Sequence, residues 1–138
     1  MCGSHTSRSA HTRGWRSPRL SSEELRDLAH HCLDHGVGAV CVTLDERGCV
    51  AFYRDGSGGV AGEYVDHIEV EHVVDTTGAG DSFAAGLAYG YLAYRDYVVA
   101  CQYGNAMGAQ RCAGAELNVY LSPEETERQI LATYGPRS

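Results

Sequence analysis

Val73-Val74-Asp75-Thr76-Thr77-Gly78-Ala79-Gly80-Asp81-Ser82-Phe83 is the stretch that decides how this 138-residue chain folds. It begins β-branched, passes through small residues and two glycines, and ends on an acid. That acid opens a segment in which Phe83, Ala84, Leu87, Ala88 and Tyr91 recur at helical spacing. The order predicts a strand, a tight loop and a helix N-terminus. Glycines at 78 and 80 allow a sharp turn and close approach of a ligand to the backbone. The first amides of a helix lack internal partners and sit at the positive end of its dipole, so the loop predicts an anion site. A carboxylate there repels a phosphate that is only to be held. Asp81 makes sense as a base taking the proton from a hydroxyl that attacks that phosphate.

Composition narrows the classes. Hydrophobic residues make up 43% and charged residues 21% of the chain, as in an ordinary globular domain with a modest core. No apolar run approaches a membrane span, so no membrane partner is expected. A net charge of −7 argues against nucleic acid as a partner. All 11 basic residues are Arg, which excludes a phosphate loop built on lysine. Six cysteines without a CxxC pair, four of them in apolar or small-residue periodic segments, predict free thiols in a reducing cytoplasm.

Residues 1–20 hold Arg8, Arg13, Arg16 and Arg19, no acid and no periodicity, and are expected to be a disordered basic segment. Lacking an amphipathic face, they fit a stretch foreign to the domain at least as well as a transit peptide. Ser21 and Glu24 have capping-box spacing and open a helix over 22–35 with Leu25, Leu28, Ala29, Cys32 and Leu33 on one stripe. His31 and His35 have the spacing to share a metal, but no third ligand is evident, which favours solvent-facing residues. Gly38 to Leu44 reads as a central strand buried on both faces. Its position after a helix and a glycine turn makes parallel pairing the expectation. Further strands are expected at 49–54, 60–65 and 68–74. His67 and His72 lie near the key loop and read as surface histidines rather than catalytic ones. Asp96 caps a small-residue helix from Tyr97 to about Cys112, suited to packing against the loop or a flat ligand. Ser122-Pro123-Glu124-Glu125 starts the last helix, which runs to about Tyr134 ahead of a short tail at 135–138.

Asp75-Thr76-Thr77-Gly78-Ala79-Gly80-Asp81-Ser82-Phe83 resembles the D-T-x-G-A-G-D-x-F signature of the ribokinase-like (PfkB) carbohydrate kinases at every fixed position. The resemblance extends over roughly residues 21–134. It implies an α/β fold with a Rossmann-like three-layer sheet and flanking helices, present as the C-terminal, nucleotide-binding part. The activity implied is ATP-dependent phosphorylation of a sugar or nucleoside, with Asp81 as the base. The amides of Gly78, Ala79 and Gly80, with that of Asp81, become the anion hole. Asp75 and Thr77 match positions that help hold a monovalent cation such as K+, and Asp75 equally suits fastening the loop.

Thr43 and Gly48 match a T-L-G-x-x-G segment beside the nucleotide, although Asp45 replaces its first glycine; an ordinary turn is the alternative there. Asn105, in Gly104-Asn105-Ala106-Met107-Gly108-Ala109, resembles a nucleotide-side A-N-A-A-G-A helix. Mg2+ is the implied companion of ATP. The family's sugar-binding residues, lid and magnesium-placing segment have no counterpart before Ser21. The expected partners are therefore ATP, the acceptor, and a second copy or a chain supplying the missing half. The alternative is a remnant that binds nucleotide without turnover, or only pairs with another chain.

Overall fold

The computed structural model describes residues 21–137. They form two compact units that divide between Asp66 and His67.

In the first unit, α1 spans Ser22–Asp34. The Ser21 hydroxyl accepts the Glu24 N–H at 3.1 Å and the Glu24 carboxylate accepts the Ser21 N–H at 2.8 Å, closing the expected capping box. Leu25, Ala29 and Leu33 are buried, while Leu28, assigned to the same stripe, is 52% exposed. The buried row is the one spaced by four residues, and Arg26 beside it reaches the Val60 carbonyl and the Phe52 ring of the sheet. Strands β1 (Ala39–Thr43), β2 (Cys49–Arg54) and β3 (Val60–Val65) pair in that order. Leu44, Val50 and Phe52 join Leu25 and Ala29 in the core, with Val40, Val42, Val60 and Tyr64 packed on it.

Two expectations are corrected here. Both pairings are antiparallel, with Ala39 opposite Tyr53 and Cys49 opposite Val65. The connections explain this. Asp45–Arg47 is a single 3-10 turn, closed by the Leu44 N–H donating to the Gly48 carbonyl at 2.8 Å. At the other hairpin the Asp55 carboxylate gathers the amides of Ser57 and Gly59. Connections this short join only antiparallel neighbours; a parallel crossover takes a dozen residues or more. The central strand of the described sheet is β2, buried from Cys49 to Phe52, whereas β1 lies at its edge, half-buried.

In the second unit, α2 (Ala79–Tyr94) and α3 (Tyr97–Cys112) form a helical hairpin, turned at Arg95 in the left-handed region. The Asp96 carboxylate caps α3 through the amides of Val98 and Val99 at 2.8 and 3.1 Å. The helices run antiparallel in very close contact. A methyl on Gly86 would stand 2.4 Å from the Tyr103 carbonyl oxygen, one on Gly90 2.9 Å from the Ala100 Cα, and one on Gly104 2.7 Å from the Phe83 ring. Gly104 and Gly108 of α3 thus receive α2, while Ala106 and Ala109 pack into the core with Ile68 and Ile130. Helix α4 (Pro123–Tyr134) begins at a second capping box, between Ser122 and Glu125. Its Ile130 enters a core with Ile68, Val99, Tyr103 and Ala106. Residues 68–74 are not a strand. Ile68 joins this core, and the Val74 N–H donates to the Cys112 carbonyl at 2.8 Å. A β-branched run becomes a strand only where another strand meets it.

Candidate active site

The loop leading into α2 is held by its own polar groups. The Asp75 Oδ1 accepts the Thr77 N–H at 2.9 Å, and the Ala79 N–H reaches the Thr76 carbonyl at 3.1 Å. The bonds from the amide and hydroxyl of Thr77, aided by the charge of Arg111, hold the Asp75 carboxyl below the usual carboxylate range. Gly78 takes the N-cap position at φ +82°, a conformation that disfavours other residues, and no side chain caps the helix. This sets α2 apart from α1, α3 and α4, each capped by a side chain.

Of the first four amides, that of Ala79 goes to Thr76 and that of Ser82 to the Gly78 carbonyl at 2.9 Å. Among the described residues, the amides of Gly80 and Asp81 remain for whatever approaches the helix end. A Cβ on Gly80 would meet nothing within 4 Å, so packing inside the fold does not require glycine there. Asp81 is exposed in the same turn.

Asp75, Thr77, Gly78, Ala79, Gly80 and Asp81 therefore come together in one turn, where the helix dipole favours an anion. Asn105 lies in the same unit, buried in α3, and its Nδ2 donates to the Tyr134 hydroxyl at 3.0 Å. Thr43 and Gly48 belong to the first unit. Thr43 ends β1, exposed, and Gly48 closes the following turn at φ +102°. Asp45, standing where the resembled segment has glycine, adopts φ +57°, a region that Asp tolerates better than most residues.

Two contributors were not read from the sequence. Arg111 is buried behind the loop, its Nη1 donating to the Gly114 carbonyl at 2.8 Å. A Cβ on Gly78 would lie 3.5 Å from its Nε. Its signal was available, because it is the single charged residue of α3. Tyr120, whose hydroxyl lies 2.6 Å from the Ser82 Oγ, had no signal, since 38 positions separate the pair.

Comparison with known proteins shows the family. Residues 12–119 match the pfkB family carbohydrate kinases. An uncharacterised sugar kinase of Archaeoglobus fulgidus is 38% identical over 91 residues, which cover 66% of this chain and 34% of the relative. The 2-dehydro-3-deoxygluconokinase of Bacillus subtilis is 33% identical over 102 residues, 69% of this chain and 30% of that one. A Burkholderia thailandensis nucleoside kinase, solved with ADP and inosine, superposes with a TM-score of 0.68 at 26% identity, over 84% of this chain and 35% of that structure. The chain thus spans about a third of the length of the relatives it matches. The α/β fold is part of a ribokinase-like fold, and the chain belongs to the pfkB family of carbohydrate kinases.

Proposed function

We propose that this chain carries the nucleotide-binding and base-bearing part of a kinase that transfers the γ-phosphoryl group of ATP to a hydroxyl of a sugar or nucleoside. The observation that supports this best is the first turn of α2: an N-terminus without a side-chain cap, open space over Gly80, and the Asp81 carboxylate exposed beside it. Asp81 takes the proton of the acceptor hydroxyl. The oxygen attacks the γ-phosphorus as the bond to the ADP oxygen breaks. The Gly78–Asp81 turn, chiefly through the amides of Gly80 and Asp81, faces the charge that builds on the phosphoryl oxygens; donors aimed in advance of reaction are the strongest aid to such a step.

Thr43, Gly48 and Asn105 are assigned to the nucleotide by family resemblance. Asp75, kept ionised by Thr77 and Arg111, suits a monovalent cation such as K+, with Thr77 beside it. Its Oδ1 is already engaged with the Thr77 amide, so fastening the loop is its first role. Mg2+, when bound with ATP, neutralises phosphate charge; no residue of this chain is assigned to it.

The test is ADP release with ATP and a panel of fructose, ribose, 2-keto-3-deoxygluconate and adenosine. Turnover that disappears in Asp81→Asn supports the reading. Turnover that survives in this variant refutes Asp81 as base. A second reading is favoured by the exposure of Val73 and Val74, 61% and 57%. In it the chain binds nucleotide without turnover and pairs with a second copy or with a chain supplying the rest of the kinase. Nucleotide binding without turnover by a chain that sediments as a complex supports that reading; a monomer in sedimentation removes the second copy as partner.

A further inference from the structure

Ser82 is buried in the first turn of α2, immediately after Asp81, and shares a 2.6 Å hydrogen bond with the Tyr120 hydroxyl. Tyr120 lies on the extended segment that follows the 3-10 turn Leu117–Val119. Its place is set from the other side of the unit. The next residue, Leu121, donates its N–H to the Oε1 of buried Gln110 at 3.0 Å. The Gln110 Nε2 donates in turn to the Thr126 Oγ1 and the Gln129 Oε1, at 3.0 and 3.1 Å. One polar chain therefore runs from α4 through α3 to the segment carrying Tyr120, and from its hydroxyl to the turn that bears Asp81.

That turn contains two glycines and no side-chain cap; bonds at Thr77, Ala79 and Ser82 fasten either side of it, and among the described residues the amides of Gly80 and Asp81 between them make none. We propose that Tyr120 is a positioning residue: through Ser82 it fixes the first turn of α2, so that the Gly80 and Asp81 amides and the Asp81 carboxylate keep one aim toward the terminal phosphate of ATP. The inference rests on the reading of the turn as a phosphoryl site. Tyr120 is 38% exposed, and Tyr120→Phe keeps its ring while removing only the hydroxyl that meets Ser82.

The experiment compares the 138-residue chain with Tyr120→Phe, Ser82→Ala and the double variant. ATP and AMP binding are followed by titration calorimetry, and amide exchange by NMR in the ligand-free proteins. Each single variant is expected to weaken ATP about threefold to tenfold, the range of one hydrogen bond. AMP, which lacks the terminal phosphates, is expected to bind unchanged; general damage to the fold would weaken both. The double variant is expected to lose no more than either single one, because both remove the same contact. The Ser82 amide is expected to exchange faster in both singles. Wild-type ATP affinity in Tyr120→Phe, equal losses for AMP, or losses that multiply in the double variant would overturn the proposal. Failure of the unsubstituted chain to bind ATP would refute the kinase reading instead. The exchange comparison would then decide the contact alone, and unchanged Ser82 exchange in Tyr120→Phe would overturn it.

Discussion

Gly80→Ala separates what the fold needs from what the proposed site needs. Among the glycines of α2, Gly86 and Gly90 are walled in by α3, but a Cβ on Gly80 meets nothing within 4 Å and its φ is not positive. On folding alone, alanine is therefore acceptable. It is the better helix former by about 0.8–1 kcal/mol in a helix interior, and by less in the first turn. The expected stability change is from neutral to about 1 kcal/mol in favour of the variant. In the site the balance reverses. Cα–Cβ bonds tilt toward the helix N-terminus, so the new methyl enters the space that an anion must occupy to reach the Gly80 and Asp81 amides. Loss of one donor to a transition state costs about a hundredfold to a thousandfold in turnover, and a ground-state anion loses less. A fall of at least about tenfold in ATP affinity is the conservative expectation here.

Gly86→Ala is the matched control. Its methyl lies 2.4 Å from a backbone oxygen that cannot swing aside. Overpacking of this kind costs about 1–3 kcal/mol, which exceeds the propensity gain. Urea denaturation supplies the stabilities and calorimetric titration with ATP the affinities. Gly80→Ala binding ATP like the unsubstituted chain would refute the placement of the anion over α2. Gly80→Ala losing stability as Gly86→Ala does would refute the claim that the space over Gly80 is empty.

Other expectations are simpler. Asp81→Asn retains fold and nucleotide affinity and loses turnover, measured as ADP release in the presence of an acceptor; retained turnover removes Asp81 from the chemistry. Asp96→Ala removes two amide bonds at the start of α3 and is expected to cost about 1 kcal/mol in urea denaturation. The stability of the chain is also expected to fall in acid. Asp55 and Asp75 have carboxyls held below their ordinary value of 3.8, by bonds from Ser57 and Thr77 respectively. A carboxyl depressed in the folded state contributes stability above its unfolded value and loses it as the pH falls through the folded one. The loss should therefore begin near pH 4 and grow below it, and Asp75→Asn should flatten it in a pH series of urea midpoints. An unchanged slope would mean that Asp75 gains nothing from its contacts with Thr77.

Much of the fold was legible because its signals are local. Ser21 with Glu24, Asp96, and Ser122 with Glu125 each start a helix within three or four residues of themselves, and all three helices begin where these caps sit. The glycine turn ahead of Asp81 is equally local, so the N-terminus of α2 could be read directly. Strand partners are a different matter. The apolar run at 39–43 reads the same in a central parallel strand as at the edge of an antiparallel sheet, and the run at 68–74 reads as a strand although none forms.

The sequence by itself determined where the helices begin, that a glycine turn opens α2, and which acid stands in that turn. Those properties rest on hydrogen bonds and backbone preferences within a few residues. Only the tertiary structure decided that the sheet is antiparallel with β2 at its centre, and that glycines on α2 and α3 bring the two helices into backbone contact. It alone also brought Arg111 behind Gly78 and Tyr120 onto Ser82. Each of these depends on groups that meet only after the chain has folded back on itself, and no local pattern encodes which distant residue arrives.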